Sequence, residues 1–301
     1  MTSRTLVMAS SQLSRRRFGR EPLRRWFEPR LRGYPWRRTQ DPYRVLVSEV
    51  MLQQTQASRV VPAYRAFLER FPTVRSLAAA SLREVVAAWD GLGYNRRAVA
   101  LSEAARTIVG DHGGRVPSDP VALQRLPGVG PYTAAAVASI AFAAPTAAID
   151  TNVRRIVARV FLGVGADEAP AAEVRALAEG WLDRGDPGGW NEALMDLGRE
   201  VCRPRPRCEV CPLRRECRFL REGRQPVLAP RRRPPFEGSS RQVRGAVVSH
   251  LRRREDATLA GLAGETGFPL ERVAAAVAAL ASDGLIEAGP AAVIGRPRGR
   301  V

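Results

Sequence analysis

The sequence predicts an all-α protein that carries a small winged-helix-like unit after a linker. Two observations lead there. Apolar residues recur at helical spacing as far as about residue 222, with no convincing run of alternating strand pattern. Caps, prolines at helix starts and glycine breaks bound those apolar runs.

Asp41-Pro42 is an N-cap followed by proline at the first helical position, and Tyr43, Leu46, Val47, Val50 and Met51 form one apolar stripe behind it. Ser81 and Glu84 make a capping box before Val85, Val86 and Trp89. Gly91-Leu92-Gly93 breaks that helix, and the next runs from about Arg96 to Val109, ahead of Gly113-Gly114. Asp119-Pro120 opens a short helix ending at Leu126, Pro127-Gly128-Val129-Gly130 is a tight hairpin, and Pro131 begins a helix through Phe142. More helices are expected at about 152–162, 170–183 and 189–201. Residues 223–240, rich in Pro, Arg and Ser, read as a linker. Helices at 241–253, 257–264 and 269–282 and a short apolar piece from Ile286 to Ile294 follow. They make a winged-helix-like domain over 241–295, its third helix reading a DNA groove, or else a small dimerisation or packing domain. Residues 1–21 are expected to be a disordered basic N-terminus and 296–301 a tail.

The 48 basic and 30 acidic residues leave a formal charge of +18. That surplus points to a polyanionic partner, nucleic acid first, although a merely soluble basic surface has the same signature. There is no lysine, so all 48 are arginine. Arginine suits bidentate phosphate contacts, and no side chain here can form a Schiff base with a sugar aldehyde. Hydrophobic residues make up 45%, enough for a core. No stretch approaches about 20 apolar residues, so no membrane span is expected. Ser14-Arg15-Arg16-Arg17-Phe18 faintly resembles a twin-arginine export signal, but the charge-rich segment from Gly19 to Arg32 stands where an apolar run should follow. A cytoplasmic location is expected. Four cysteines packed between positions 202 and 217 then favour metal or cluster binding over disulfides.

Four motifs carry chemistry. In the hairpin from Leu126 to Thr133, Gly128 and Gly130 let the backbone turn tightly and expose N–H groups at a helix start, an anion site suited to a DNA phosphate; a plain loop between packed helices is the bland alternative. Asp150, beyond the helix that follows the hairpin, caps the next helix, which starts at Asn152. Helix dipole and backbone donors should hold it ionised; it could be a cap and nothing more. Glu49 lies beside the apolar stripe, so burial should raise its pKa, as a general acid requires, unless it is an exposed helix glutamate. Two carboxyls in opposed environments are the usual layout for glycosidic cleavage. Last, Cys202, Cys208, Cys211 and Cys217 form one compact loop. Zinc ribbons usually separate two close cysteine pairs by more than this, so a 4Fe-4S cluster suits the spacing better, with zinc as the alternative. Arg199, Arg203, Arg205, Arg207, Arg214, Arg215 and Arg218 surround it, which suits a phosphate-contacting platform.

With these pieces in this order, residues 22–222 resemble the helix-hairpin-helix DNA glycosylase superfamily, and within it the adenine DNA glycosylases of the MutY type. The matching residues are Pro35-Trp36-Arg37, the run from Ser48 to Thr55, Gly91 to Tyr94, the hairpin, Asp150 to Val153, Asn191 to Gly198 and the cysteine loop. The resemblance implies two lobes: an iron–sulfur domain from 22–42 and 151–222, and a six-helix barrel domain over 43–150. It implies a monomeric enzyme acting on double-stranded DNA that contains a mispair, with adenine flipped into the cleft between the lobes. Glu49 would protonate the purine N7, Asp150 would stabilise or trap the sugar cation, and Asn152 would orient the carboxylates. Tyr132 occupies the position where strand-cleaving relatives use lysine, which implies a monofunctional enzyme. Gln54 and Tyr94 match residues that wedge into the stack, and Arg37 and Asp196 match positions around the base. The first cysteine gap is five residues where the family usually has six. The segment after the linker, 241–301, is too short for the Nudix-like domain with which many members read 8-oxoguanine, so the chain resembles a short form.

Adenine opposite 8-oxoguanine or guanine is therefore the expected substrate. A thymine or uracil mismatch glycosylase is the rival of the same class, but those pyrimidines leave as stabilised anions and have less need of Glu49. A non-catalytic iron–sulfur DNA-binding regulator is the rival of another class; it explains the charge and the cysteines but leaves Glu49, Asp150 and Tyr132 without a shared purpose.

Overall fold

The computed structural model describes residues 18–30, 33–226, 235–254, 256–287 and 293–294. The tail 296–301 and most of the N-terminal segment lie outside the described residues. Helix α1 is Arg20–Phe27, so regular structure starts ahead of the expected boundary at 22. There follow α2 (Pro42–Leu52), α3 (Ala57–Arg70), α4 (Val74–Ala79), α5 (Leu82–Ala88), α6 (Arg96–Asp111), α7 (Pro120–Gln124), α8 (Pro131–Phe142) and α9 (Thr151–Val157). A π turn, Ala158–Leu162, prolongs α9. Then come α10 (Ala171–Trp181), α11 (Pro187–Glu200), α12 (Arg218–Arg221), α13 (Ser240–Arg253), α14 (Leu259–Thr266) and α15 (Leu270–Ser282). Ile286–Glu287 pairs antiparallel with Val293–Ile294, the one sheet among the described residues. Helix starts are set locally. Asp119 and Asp186 accept hydrogen bonds from the first turns of α7 and α11, each with proline just inside, and Ser81 and Glu84 form the expected reciprocal box.

Contacts divide the chain into two units. The first is Met1–Glu49, Pro117–Arg125 and Val129–Pro230; the second is Val50–Val116, Leu126–Gly128 and Arg231–Val301. In the first, Leu23, Phe27, Ile156, Trp181, Trp190 and Leu197 belong to one buried cluster, in which the Trp181 and Trp190 rings meet edge to face at 5.1 Å. Helix α8 is buried nearly all round, from Thr133 to Ser139, because alanines let α11 approach it closely. A Cβ on Gly188 would stand 2.9 Å from the Ile140 Cα. Asn191, also on α11, spans that contact: its Nδ2 donates to Ser139 Oγ (2.9 Å) and the Thr146 carbonyl (3.0 Å), while its Oδ1 accepts from the Ala148 N–H (3.1 Å). These bonds fix the extended stretch that delivers Asp150.

In the second unit α6 packs against α4 and α5, burying Leu77, Val85, Val86, Leu101 and Ile108, with Trp89 against Phe67. The C-terminal helices pack on one another around Val243, Val247, Leu251, Leu262, Val273, Val277 and Leu280, and α13 also contacts α5. This segment consists of three helices and one short antiparallel strand pair. Among the described residues no helix is long and apolar enough to cross a membrane.

Candidate active site

In the first unit the structure gathers Glu49, Tyr132, Asp150, Asn152, Arg37 and Asp196. Glu49 lies within the buried stretch of α2, between Val47 and Val50, and is only 5% exposed. The Tyr132 hydroxyl, from the first turn of α8, donates to Glu49 Oε2 at 2.9 Å and lies 3.1 Å from Met195 Sδ. Burial pushes the Glu49 carboxyl up to about 7; the tyrosine bond opposes the rise, and the Asp150 charge adds to it. A carboxyl near 7 exchanges its proton around neutral pH.

Asp150 caps α9. Its Oδ1 accepts from the N–H groups of Asn152 (2.8 Å) and Val153 (2.7 Å), and its Oδ2 from Asn152 Nδ2 (2.7 Å). The cap is as expected, but the electrostatics are not. Burial raises the Asp150 pKa too, and the three donors and Arg155 only offset it. The two carboxyls are therefore not in opposed environments: desolvation acts upward on both, and what differs is the supply of donors, one at Glu49 and three at Asp150.

Arg155 continues the chain of contacts. It donates to Asn152 Oδ1 (2.7 Å), the Gly198 carbonyl (2.8 Å) and the Cys202 carbonyl (2.6 Å). Gly198 must lack a side chain, since a Cβ there would meet the Asn152 Cβ at 2.5 Å. Arg37, in the turn Pro35–Arg38, pairs with Asp196 Oδ2 at 2.6 Å and stands 3.6 Å from Glu192 Oε1. Glu192 went unassigned in the sequence. Burial pushes it up to about 7, Arg37 opposes, and Glu49 and Asp196 add repulsion. Its sequence signals were its place in the matching run from Asn191 to Gly198 and its helical spacing from Asp196.

Gln54, Tyr94 and Gly128 fall in the second unit. Gln54 (φ 56°) and Tyr94 (φ 46°) both adopt the left-handed backbone that side chains avoid, and Tyr94 is 53% exposed. Arg97, also unassigned in the sequence, holds both in place. Its guanidinium donates to the carbonyls of Val50 (2.9 Å), Met51 (2.8 Å) and Gln53 at the end of α2, and to Gly93 (3.2 Å) and Leu92 (3.3 Å) before Tyr94. The two hairpin glycines separate. Gly128 has φ +73° and a Cβ on it would meet Ala100 Cβ at 2.7 Å, whereas Gly130 has an ordinary φ of −83° and free space around it. No side chain caps α8 at Gly130.

All four cysteines are free thiols lining one small cavity behind α11. Arg159 ties their loop down, donating to the carbonyls of Arg203 (2.7 Å) and Pro204 (3.0 Å). Arg203, Arg205, Arg207, Arg214, Arg215 and Arg218 are exposed, Arg207 and Arg218 paired with Glu209 and Glu222, and Arg199 is engaged by Tyr34, Asp196 and Glu200. Among the described residues no three His, Cys, Asp or Glu side chains are grouped to hold a single metal ion.

Residues 47–183 match the family model for HhH-GPD superfamily base excision DNA repair proteins. The chain belongs to that family. It is 42% identical over 229 residues to the adenine DNA glycosylase of Mycolicibacterium smegmatis, across 75% of this chain and 78% of that one. It is 43% identical over 216 residues to the human adenine DNA glycosylase, across 67% of this chain but only 39% of the human protein. In structure it resembles a thermostable thymine-DNA glycosylase, with a TM-score of 0.61 and 31% identity over 67% of this chain and 94% of the other.

Proposed function

We propose that the protein is a monofunctional adenine DNA glycosylase that acts on double-stranded DNA, removing adenine mispaired with 8-oxoguanine or guanine. The observation that carries this reading is a buried carboxyl, Glu49, whose pKa near 7 lets it hold a proton at neutral pH beside a second, helix-capped carboxyl. Adenine is a poor leaving group as an anion. Glu49 gives its proton to N7 of the flipped base, the C1′–N9 bond breaks, and its electron pair goes to the now neutral adenine. Positive charge builds on the sugar, where Asp150 stabilises it. Asn152 keeps that carboxylate turned toward the sugar through its 2.7 Å bond. Water adds at C1′ and its proton returns to Glu49, leaving an abasic site. Tyr132 holds Glu49 and offers no amine, so the abasic sugar is not cleaved by lysine chemistry.

Arg37, Glu192 and Asp196 form the polar wall that receives the base, while Gln54 and Tyr94 enter the duplex and the hairpin N–H groups with Gly128 and Gly130 hold a phosphate. Cys202, Cys208, Cys211 and Cys217 hold a 4Fe-4S cluster. Four free thiols around one cavity fit that group, and their single compact loop favours it over zinc. When bound, the cluster braces the loop whose arginines contact phosphates.

A panel of duplexes pairing A, T, U or hypoxanthine with G or 8-oxoguanine tests the reading, with alkali added to reveal abasic sites. Excision of adenine alone is expected. Release of thymine or uracil in its place would move the enzyme to the specificity of its thymine-DNA glycosylase neighbour, and no release would leave a DNA-binding protein.

A further inference from the structure

The loop from Asp90 to Asn95 joins α5 to α6 and carries Tyr94. Gly91 (φ 76°), Gly93 (φ 67°) and Tyr94 (φ 46°) all adopt the left-handed backbone. A tyrosine persists in that region only where its surroundings hold it. Arg59 of α3 and Arg97 of α6 hold the middle of the loop by its carbonyls: Arg59 takes that of Gly91, and Arg97 those of Leu92 and Gly93.

The two ends of the loop are held from beyond the linker. Arg252 of α13 ion-pairs with Asp90 and donates to Asn95 Oδ1 at 3.2 Å. The Arg252 side chain is only 14% exposed, whereas that of Asp90 is 79% exposed. A guanidinium packed that closely is fixed in direction, and its planar fork sets the separation of the two acceptors it bridges. Neighbouring contacts reinforce it. Asp283, just after α15, pairs with Arg244 and lies 4.0 Å from Arg96 in the first turn of α6. A Cβ on Gly284 would stand 3.9 Å from Val99 Cγ1, and α13 itself contacts α5. The C-terminal helices thus touch the helix before the loop, the helix after it and both of its ends.

These helices are poorly made for reading a DNA groove. The exposed residues of α15 are Leu270, Glu271, Ala275, Ala278 and Ser282, and its one arginine, Arg272, donates to the Gly238 carbonyl at 2.6 Å. Affinity for DNA comes largely from cations placed on phosphates, and this face offers none.

We propose that Arg252 is a positioning residue: through Asp90 and Asn95 it fixes the Tyr94 loop in the shape that enters the base stack. The C-terminal helices then serve as a brace for that loop. The task of Tyr94 rests on the glycosylase reading; the part played by Arg252 goes beyond it.

The test uses a duplex whose target adenosine carries a 2′-fluorine, so that it resists cleavage, with 2-aminopurine beside it in the same strand. That base brightens when it loses its stacking partner. At saturating full-length protein the wild type should brighten it. Arg252→Ala should reduce the rise about twofold or more, the lower end expected for a contact inside a network. Asp90→Ala, a change at an exposed position, should do the same, and the double variant should lose no more than either single one. All three should keep close to the wild-type melting profile. A contact that merely stabilises would lower the melting temperature and leave the saturated rise unchanged. No rise with the wild type, a full rise in folded Arg252→Ala or Asp90→Ala, or losses that simply add in the double variant would overturn the proposal. Adenine release from the unfluorinated duplex is read separately: a normal rise without release would sink the glycosylase reading and leave the brace standing.

Discussion

The Tyr132 hydroxyl donates a 2.9 Å hydrogen bond to Glu49 Oε2, linking the first turn of the hairpin's second helix to a buried carboxyl on α2. A bond to the ionised form favours it, whereas burial disfavours it, and burial wins by enough to leave the Glu49 carboxyl poised near neutrality. Removing the donor therefore has a direction. In Tyr132→Phe the anion loses its partner, so the Glu49 pKa rises. Because the acid must be protonated to act, the falling limb of the single-turnover pH profile should move to higher pH. A limb that stays in place or moves down would show that the tyrosine does not tune the acid.

Glu49→Gln keeps the size of the side chain and removes its proton. General-acid catalysis contributes about 10²–10⁴-fold, so excision should fall at least that far while duplex binding persists. Equal loss of both would make Glu49 structural. The same variant should alter stability with a definite sign. The folded pKa is raised from 4.5 to about 7, so the stability held by the neutral carboxyl is complete below 4.5 and lost as pH climbs through 7. Above pH 7 the wild type carries a buried-charge cost of about 3 kcal/mol that glutamine avoids. Thermal melts at pH 8 should favour the variant, and melts at pH 4 should not.

Asp150→Asn keeps an oxygen for the α9 cap but withdraws the charge from beneath the sugar. The chemical step should slow by about 10²–10³-fold or more, with helicity retained by circular dichroism. An unchanged single-turnover rate would leave Asp150 as a cap alone.

Gly198→Ala places a methyl 2.5 Å from Asn152 Cβ, so one of the two helices must shift. Overpacking of this kind costs about 1–3 kcal/mol. Excision should fall along with melting temperature, although Gly198 touches no substrate. A variant with wild-type rate and melting would show that the contact relaxes freely.

Protein purified without oxidants should be yellow-brown, absorbing near ~400 nm as iron–sulfur thiolates do. Cys211→Ser should bleach the colour and reduce the affinity for undamaged duplex, through loss of the loop's arginine platform. A colourless protein containing zinc would overturn the cluster.

Much of this was readable along the chain because it is local. The caps at Asp41, Ser81, Asp119 and Asp150 require only neighbouring backbone, and so they fell where the sequence placed them, as did the hairpin between α7 and α8. The burial of Glu49 followed from the apolar spacing along one helix. Other features depend on groups far apart in sequence that meet only on folding. Glu192 is pushed up to about 7 by burial, with Glu49 and Asp196 adding repulsion and Arg37 opposing, all of them groups brought together by folding. Arg97 matters because two separate loops, one after α2 and one before α6, end their carbonyls at its guanidinium. Asp150 shows the division in a single residue. Its hydrogen bonds are written in the residues that directly follow it. Its raised pKa is set by desolvation, a sum over everything packed around the carboxyl that no short stretch of sequence contains.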